Sequence, residues 1–405
     1  MGTCTASFEA VRVPFLGALL YNASNIMNRR RAFGIAAILG LAFASCAVPR
    51  KGPLVDPSVV RFPLVEAGTL EIEGTVVGQP WARDGIVYLA TREGFLTAVV
   101  VPARQVLWRF KADHSISVSP ELGENHILLR DDANVLYVID FRGSLVLKKQ
   151  VDEAVTSPVR ENRGRLYFGT ASGKVVTLDL SANGAQAWEC RAASAITAGP
   201  VFSDDLVIFG AADGRLLALD HTGKPVWEFA AKGAIAADPT VADGRLYFGT
   251  ENRFFYCLNA ATGKKIWSRR LQGAPLHPAL IHGRRLVVPA SNSVVYFLSG
   301  RGGSILSWES VPSRIVHEIA VAGPLILVSS AGPLFVAYDF ATGKRVGQHL
   351  ASGPLAAGAL WVSPFIVLVV GDEESGRRRL IFLRPQPATA SAVPGARSPG
   401  FLGSS

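Results

Sequence analysis

The sequence predicts an all-β fold: an eight-bladed β-propeller of four-stranded antiparallel blades, closed by an N-terminal strand that completes the last blade. Two markers kept in phase carry that reading. Trp188, Trp227, Trp267 and Trp308 lie 39, 40 and 41 residues apart, with Trp108 a further 80 residues ahead of Trp188. Pro80, Pro120, Pro158, Pro200, Pro239 and Pro278 are spaced by 40, 38, 42, 39 and 39 residues. Continuing the count lands near Glu318 and Gly358, where proline is lost but the flanking pattern survives. A repeat of about 40 residues holding several short strands is the sequence mark of a propeller. The apolar residues agree, because they come in runs of about 4–8 broken by Gly, Asn, Asp or Pro, as buried strands do.

The N-terminus reads as an address. Met27–Arg31 is a basic head, residues 32–43 are apolar, and Ala44-Ser45-Cys46 follows. That order describes an export signal, and the apolar part is shorter than the roughly 18 residues a spanning helix needs. Residues 1–26 stand before a second possible start at Met27 and are expected to be an upstream extension. Residues 27–45 are then the signal peptide. Residues 46–66, with Pro49, Pro53, Pro57 and Pro63, read as a semi-extended tether.

Each unit between 67 and 386 is expected to hold strands A to D, the proline marking A. Strand B recurs at 86–91, 126–130, 165–170, 206–211, 245–250, 285–290, 325–329 and 365–371, which gives eight blades. The last unit has B and C (380–383) but no D, whereas Thr69–Ile72 stands alone before the first A strand. Pairing these two removes an open strand edge, which would otherwise invite aggregation. Residues 387–405 are poor in apolar side chains and are expected to be disordered.

The formal net charge is +9, of which residues 1–45 carry +3. A basic surplus favours anionic partners. The bases are nevertheless scattered through turns, and no nucleic-acid-binding motif accompanies them, so a solvated basic surface is the simpler reading. Of Cys4, Cys46, Cys190 and Cys257, the last two fall in different blades; no bridge is expected between them, and both are expected to be small buried apolar groups.

The turn between C and D carries its own chemistry. Asp220-His-Thr222-Gly223-Lys224 is followed by Trp227, and Asn259-Ala-Ala-Thr262-Gly263-Lys264 by Trp267. Asp179 and Asp339 open the same turn elsewhere. Leu147 and Gly347 replace the aromatic in two units. The Asp or Asn side chain can bond backbone N–H groups two residues on. The glycine takes positive φ without penalty. Trp108, Trp188, Trp227, Trp267 and Trp308 are expected to dock over the neighbouring blade.

This Asp-x-x-Thr-Gly-Lys-x-x-Trp order resembles the tryptophan-docking motif of quinoprotein dehydrogenases and the wider quinoprotein-like (PQQ-repeat) propellers. The Ala44-Ser45-Cys46 stretch resembles the lipobox of bacterial lipoproteins, which implies acylation of Cys46. Ala47 after it implies the outer membrane of a Gram-negative cell, on its periplasmic face. An eight-bladed propeller on a lipid anchor is similar to the BamB-like family of outer-membrane assembly lipoproteins, over roughly residues 68–383. That resemblance implies a non-catalytic scaffold, monomeric within a complex, that contacts the β-barrel assembly machinery and no nucleic acid.

In that family, loops from D to the next A grip the partner. The comparable loops here are Arg191–Gly199 and Ala231–Asp238, whose charges are Arg191, Lys232 and Asp238. Quinoprotein enzymes hold their calcium-bound quinone with an adjacent cysteine pair, an acidic base and a Trp floor. No adjacent cysteines occur here, and the seven histidines lack metal-ligand spacing. No cofactor, metal or catalytic residue is therefore expected. A quinoprotein-like enzyme, a ligand-binding propeller or the scaffold of another envelope complex stay open.

Overall fold

A computed structural model describes residues 60–371, apart from 236, together with 378–386. They form eight four-stranded antiparallel sheets. Blade 5 shows the plan. Strand A (Thr240–Ala242) pairs with B (Arg245–Gly249), B with C (Phe254–Asn259), and C with D (Lys265–Arg270). B and C are buried on both faces and read as near-continuous apolar runs. The D strands alternate between covered and open positions, because only one face of each meets a neighbouring blade.

The core is divided among the junctions between blades. One apolar cluster joins blades 4 and 5 through Ile208, Leu216, Trp227, Phe248 and Tyr256, and the next joins blades 5 and 6 through Cys257, Trp267, Leu286 and Tyr296. Each blade therefore contributes to two cores, and no blade buries its apolar faces alone.

Closure follows from chain ends that meet. The strand Leu64–Ile72 pairs antiparallel with the final strand Arg378–Pro385 and takes the D place of blade 8. The residues before it go further than a tether would. Val60 is buried, and Phe62 packs 6.4 Å from the ring of Phe335. Gly347 stands where a docking aromatic is expected, and a Cβ there would lie 2.3 Å from Phe62. Phe62 thus fills from outside the repeat the space that Gly347 leaves. The ordered chain begins before the boundary expected at residue 67 for that reason.

Four tryptophans dock. Trp108, Trp188, Trp227 and Trp267 donate Nε1 to the carbonyls of Phe141, His221, Ala260 and Gly300, at 3.1, 3.0, 3.0 and 3.2 Å. Each acceptor lies in the C–D turn of the following blade. Gly263 in that turn has φ +67°, and a Cβ on it would lie 2.6 Å from the Trp227 ring, so glycine is required twice over. The turn is set by Asp220 Oδ1, which accepts from Thr222 N at 2.8 Å and Lys224 N at 3.0 Å. Asp179, Asn259 and Asp339 accept from Ser181, Thr262 and Thr342 backbone N–H groups in the same way, at 2.9, 2.9 and 2.7 Å.

Trp308 does not dock. Cys257 pairs with Trp267 across its sheet, but one blade on it is Ser307 that pairs with the equivalent Phe297, and Trp308 pairs with Tyr296. A displacement of one residue turns a strand side chain to the opposite face. Trp308 is consequently 59% exposed, against 6% for Trp227.

Trp227→Ala should cost about 3–5 kcal/mol in a urea titration, whereas Trp308→Ala should cost under about 0.5 kcal/mol. Equal losses would contradict the register just described. Phe62→Ala should lower stability by about 2–3 kcal/mol through loss of the closing contact. An unchanged urea midpoint would show that closure does not use this ring.

Candidate functional site

Six of the eight A strands have two or three residues, the A strands surround the axis, and residues beside the repeated proline link neighbouring blades. Gln79 N donates to Ser119 Oγ at 2.8 Å, joining blades 1 and 2. Gly199 N donates to Asp238 Oδ1 at 2.8 Å, joining blades 4 and 5. Across the seam, Gly358 N donates to Gln79 Oε1 at 2.9 Å and Gln79 Nε2 donates back to Gly358 O at 3.3 Å. These bonds need polar or small residues at one position of each repeat.

Within this ring is a cavity of about 850 Å³, with Trp81, Glu121, Arg160, Phe202, Asp238 and Glu318 among its walls. Arg160 reaches from blade 3 across blade 4. Its Nη2 donates to Asp238 Oδ2 at 3.0 Å, and its Nη1 lies 3.7 Å from Glu121 Oε2. Four blades thus bring one guanidinium and three carboxyl groups to the axis. Burial works against the charge of Arg160, but Glu121 and Asp238 more than offset it and its pKa is raised. Burial pushes the Glu121 carboxyl up to about 7; Arg160 pulls it down, and Asp238 and Glu318 push it further up. Glu318 is raised mainly by burial as well. Chemically, the axis holds a plug in which the Arg160–Asp238 pair stands beside Glu121 and Glu318, whose neutral forms burial favours.

The residues do not fit the quinone and calcium of the related enzymes. Among the described residues no group of three His, Cys, Asp or Glu could hold a metal ion. The sequence has no adjacent cysteine pair. Cys257 is buried and free, so no bridge joins it to Cys190. Cys190 is nevertheless disulfide-bonded, which goes beyond the small buried apolar group expected of it.

The three charges expected to contact a partner do not stay together. Arg191 and Lys232 are exposed on successive loops from D to A. Lys232 Nζ rests 5.7 Å above the ring of Phe254. Asp238 instead faces inward, 17% exposed, and is committed to Arg160 and Gly199. Sequence reasoning missed Arg160, Glu121 and Glu318. Their one signal was position: all three fall within two residues of the repeated proline site, where the inner strand begins. Cys46 lies outside the described residues.

Comparison with known proteins agrees with this geometry. A family model described as outer membrane protein assembly factor BamB matches residues 66–189, 92–220, 180–279 and 256–386. No curated protein matches the sequence. BamB from Moraxella catarrhalis superposes with a TM-score of 0.64 at 18% identity, covering 79% of this chain and 98% of that one. The computationally designed Ika8 protein gives 0.67 at 17% identity, covering 77% and 98%. Quinohemoprotein alcohol dehydrogenase from Comamonas testosteroni gives 0.62 at 13% identity, covering 82% and 79%. At these identities the structural matches show the fold.

Arg160→Met should cost on the order of 3 kcal/mol in a urea titration, because it leaves the facing carboxyl groups without their counter-charge. A carboxyl whose pKa is higher folded than unfolded keeps its proton longer in the fold. Its contribution to stability therefore falls as pH rises from the ordinary carboxylate range through about 7. Glu121→Gln removes that loss, so the variant should gain on the parent between about pH 5 and about pH 8. Parallel stability curves over that window would show that Glu121 titrates normally.

Proposed function

The chain belongs to the family of outer membrane protein assembly factor BamB, and from that membership we propose a non-catalytic periplasmic scaffold. In this reading it is a lipoprotein, acylated at Cys46 and held at the outer membrane. It assists insertion of β-barrel proteins by contacting other proteins of the assembly machinery. The observation that carries the non-catalytic part is the plug on the axis. Arg160 pairs with Asp238 and lies 3.7 Å from Glu121, and the turn carboxyls of Asp179, Asp220 and Asp339 are spent on backbone N–H groups. The loops bearing Arg191 and Lys232 remain open to solvent and are the proposed contact points.

One observation favours a second reading, a ligand-binding or quinoprotein-like propeller. The cavity is large enough for a small molecule, and Trp81 Nε1 and Arg160 Nε have no hydrogen-bond partner in the protein. Quinone-dependent dye reduction tests the enzyme, and a thermal shift with small ligands tests the binder. Another envelope complex could equally use the same loops.

Crosslinking in intact cells, followed by identification of partners, tests the scaffold. Barrel-assembly subunits should be captured. The pair Arg191→Glu and Lys232→Glu should reduce that capture by roughly tenfold while leaving the melting midpoint nearly unchanged, as exposed substitutions usually do. Capture of other envelope proteins only would sink the barrel-assembly reading.

A further inference from the structure

We propose that the A–B and C–D turns of blades 5, 6 and 7 form a docking surface for an anionic phospholipid bilayer. The antiparallel order A-B-C-D puts both turns at the same end of each sheet. Backbone bonds tie them together there: Ala260 N donates to Gly244 O at 2.9 Å, Gly300 N to Arg284 O at 2.7 Å, and Phe340 N to Pro324 O at 2.9 Å. Exposed on this end are Lys264, Lys265, Arg284, Arg301, Lys344 and Arg345.

The charge is lopsided. At or flanking these turns, blades 5–7 carry eight Lys or Arg against two Asp or Glu, whereas the same end of blades 1–4 carries six against seven. From residue 243 to 350 there are twelve bases and five acids. Among the described residues, the salt bridges between Glu73 and Asp238 involve none of those twelve bases, and Arg285 acts on Asp339 only at longer range. Arg245, Arg269 and Arg345 donate to Gly300 O, Gly303 O and Gln348 Oε1, and exposed bases outside a salt bridge are available to phosphate.

Apolar side chains accompany them. Ile266, Ile305, Leu306 and Val346, at the starts of the outer strands, are 42–49% exposed. Trp308 follows Leu306 on the same open face of its strand. Aliphatic groups, an indole and dispersed bases suit the boundary between headgroups and acyl chains. A fluid planar polyanion needs no fixed register among such bases.

The chain ends supply the proximity. Leu64 pairs with Pro385, and Gln386 N donates to Pro63 O at 3.0 Å, so the chain comes in and leaves at this same end, in blade 8 beside blade 7. Exposed Arg61 and Arg384 flank that point. Any membrane attachment upstream of residue 60 pulls on this face. The loops carrying Arg191 and Lys232 lie at the other end of the sheets and stay free for proteins.

The test uses the full chain with Cys46→Ser, which removes acylation and makes the result independent of the lipoprotein reading. Flotation with phosphatidylcholine vesicles is compared with flotation on vesicles that also contain phosphatidylglycerol. Binding should need phosphatidylglycerol and be largely lost near 0.5 M salt, where screening lengths fall to about 4 Å. Lys264→Glu, Arg301→Glu and Lys344→Glu together should weaken it on the order of a hundredfold or more. Arg253→Glu with Arg314→Glu, on the same blades but at the opposite end, should leave it unchanged. Leu306→Ser should lower affinity severalfold at low salt. Equal binding to both vesicles, no binding at low salt, or equal loss in the opposite-end variant overturns the proposal. Absent vesicle binding, loss of an acidic protein crosslink in the triple variant would assign the face to a protein instead. Loss of the Arg191 and Lys232 crosslinks bears on the scaffold alone.

Discussion

The pairing of the first strand with the last is the constraint on which the rest of the molecule depends. Every apolar cluster is shared by two adjacent blades, so a ring left open would uncover two of them at once. Antiparallel pairing from Leu64 with Pro385 to Ile72 with Arg378 prevents that. Phe62 then does for blade 8 what a C–D turn does elsewhere, since the turn itself is replaced by the two chain ends. The Gln79 and Gly358 amides repeat the closure near the axis. Inner and outer seams are therefore fastened by different chemistry, one polar and one apolar.

Closure also makes the axial plug possible. Arg160 and Asp238 are 78 residues apart in sequence and meet only because blades 3 and 5 are held around one centre. Burial works against all of these charges: the ion pairs more than offset it for Arg160 but not for Glu121 and Glu318, which bear a residual desolvation cost. The partial protonation of Glu121 lowers that cost. The arrangement is a compromise between neutrality and repulsion, not a stabilising network, and it places the polar chemistry of the channel under the control of pH.

Much of the fold was legible in the sequence because each repeat repeats its physics. The B strands begin and end within a residue of expectation, since they are apolar runs bounded by turn residues. Trp308 was misplaced even though its signal was visible: its spacing of 41 from Trp267 is one more than that of Trp267 from Trp227. The strand register keeps its period of 40, so the one-residue offset puts Trp308 on the opposite face. Phe62 was illegible because it lies outside the period, and only Gly347 hinted that something must fill a gap. The axial group was hidden for a different reason. Arg160, Glu121 and Glu318 occur once each at sites where other repeats hold unrelated residues, so no periodicity marks them. Asp238 was drawn to the rim by its loop, although its place just before a proline puts it in the inner ring.

The separation of Leu64 from its partner Pro385 bears on biosynthesis. Among the described strands, synthesis delivers the one that completes blade 8 first and its mate last. Intermediate blades can form in turn as they emerge, but the circle has no completed state until Arg378–Pro385 is present. Contacts this distant in sequence are the slow ones in folding.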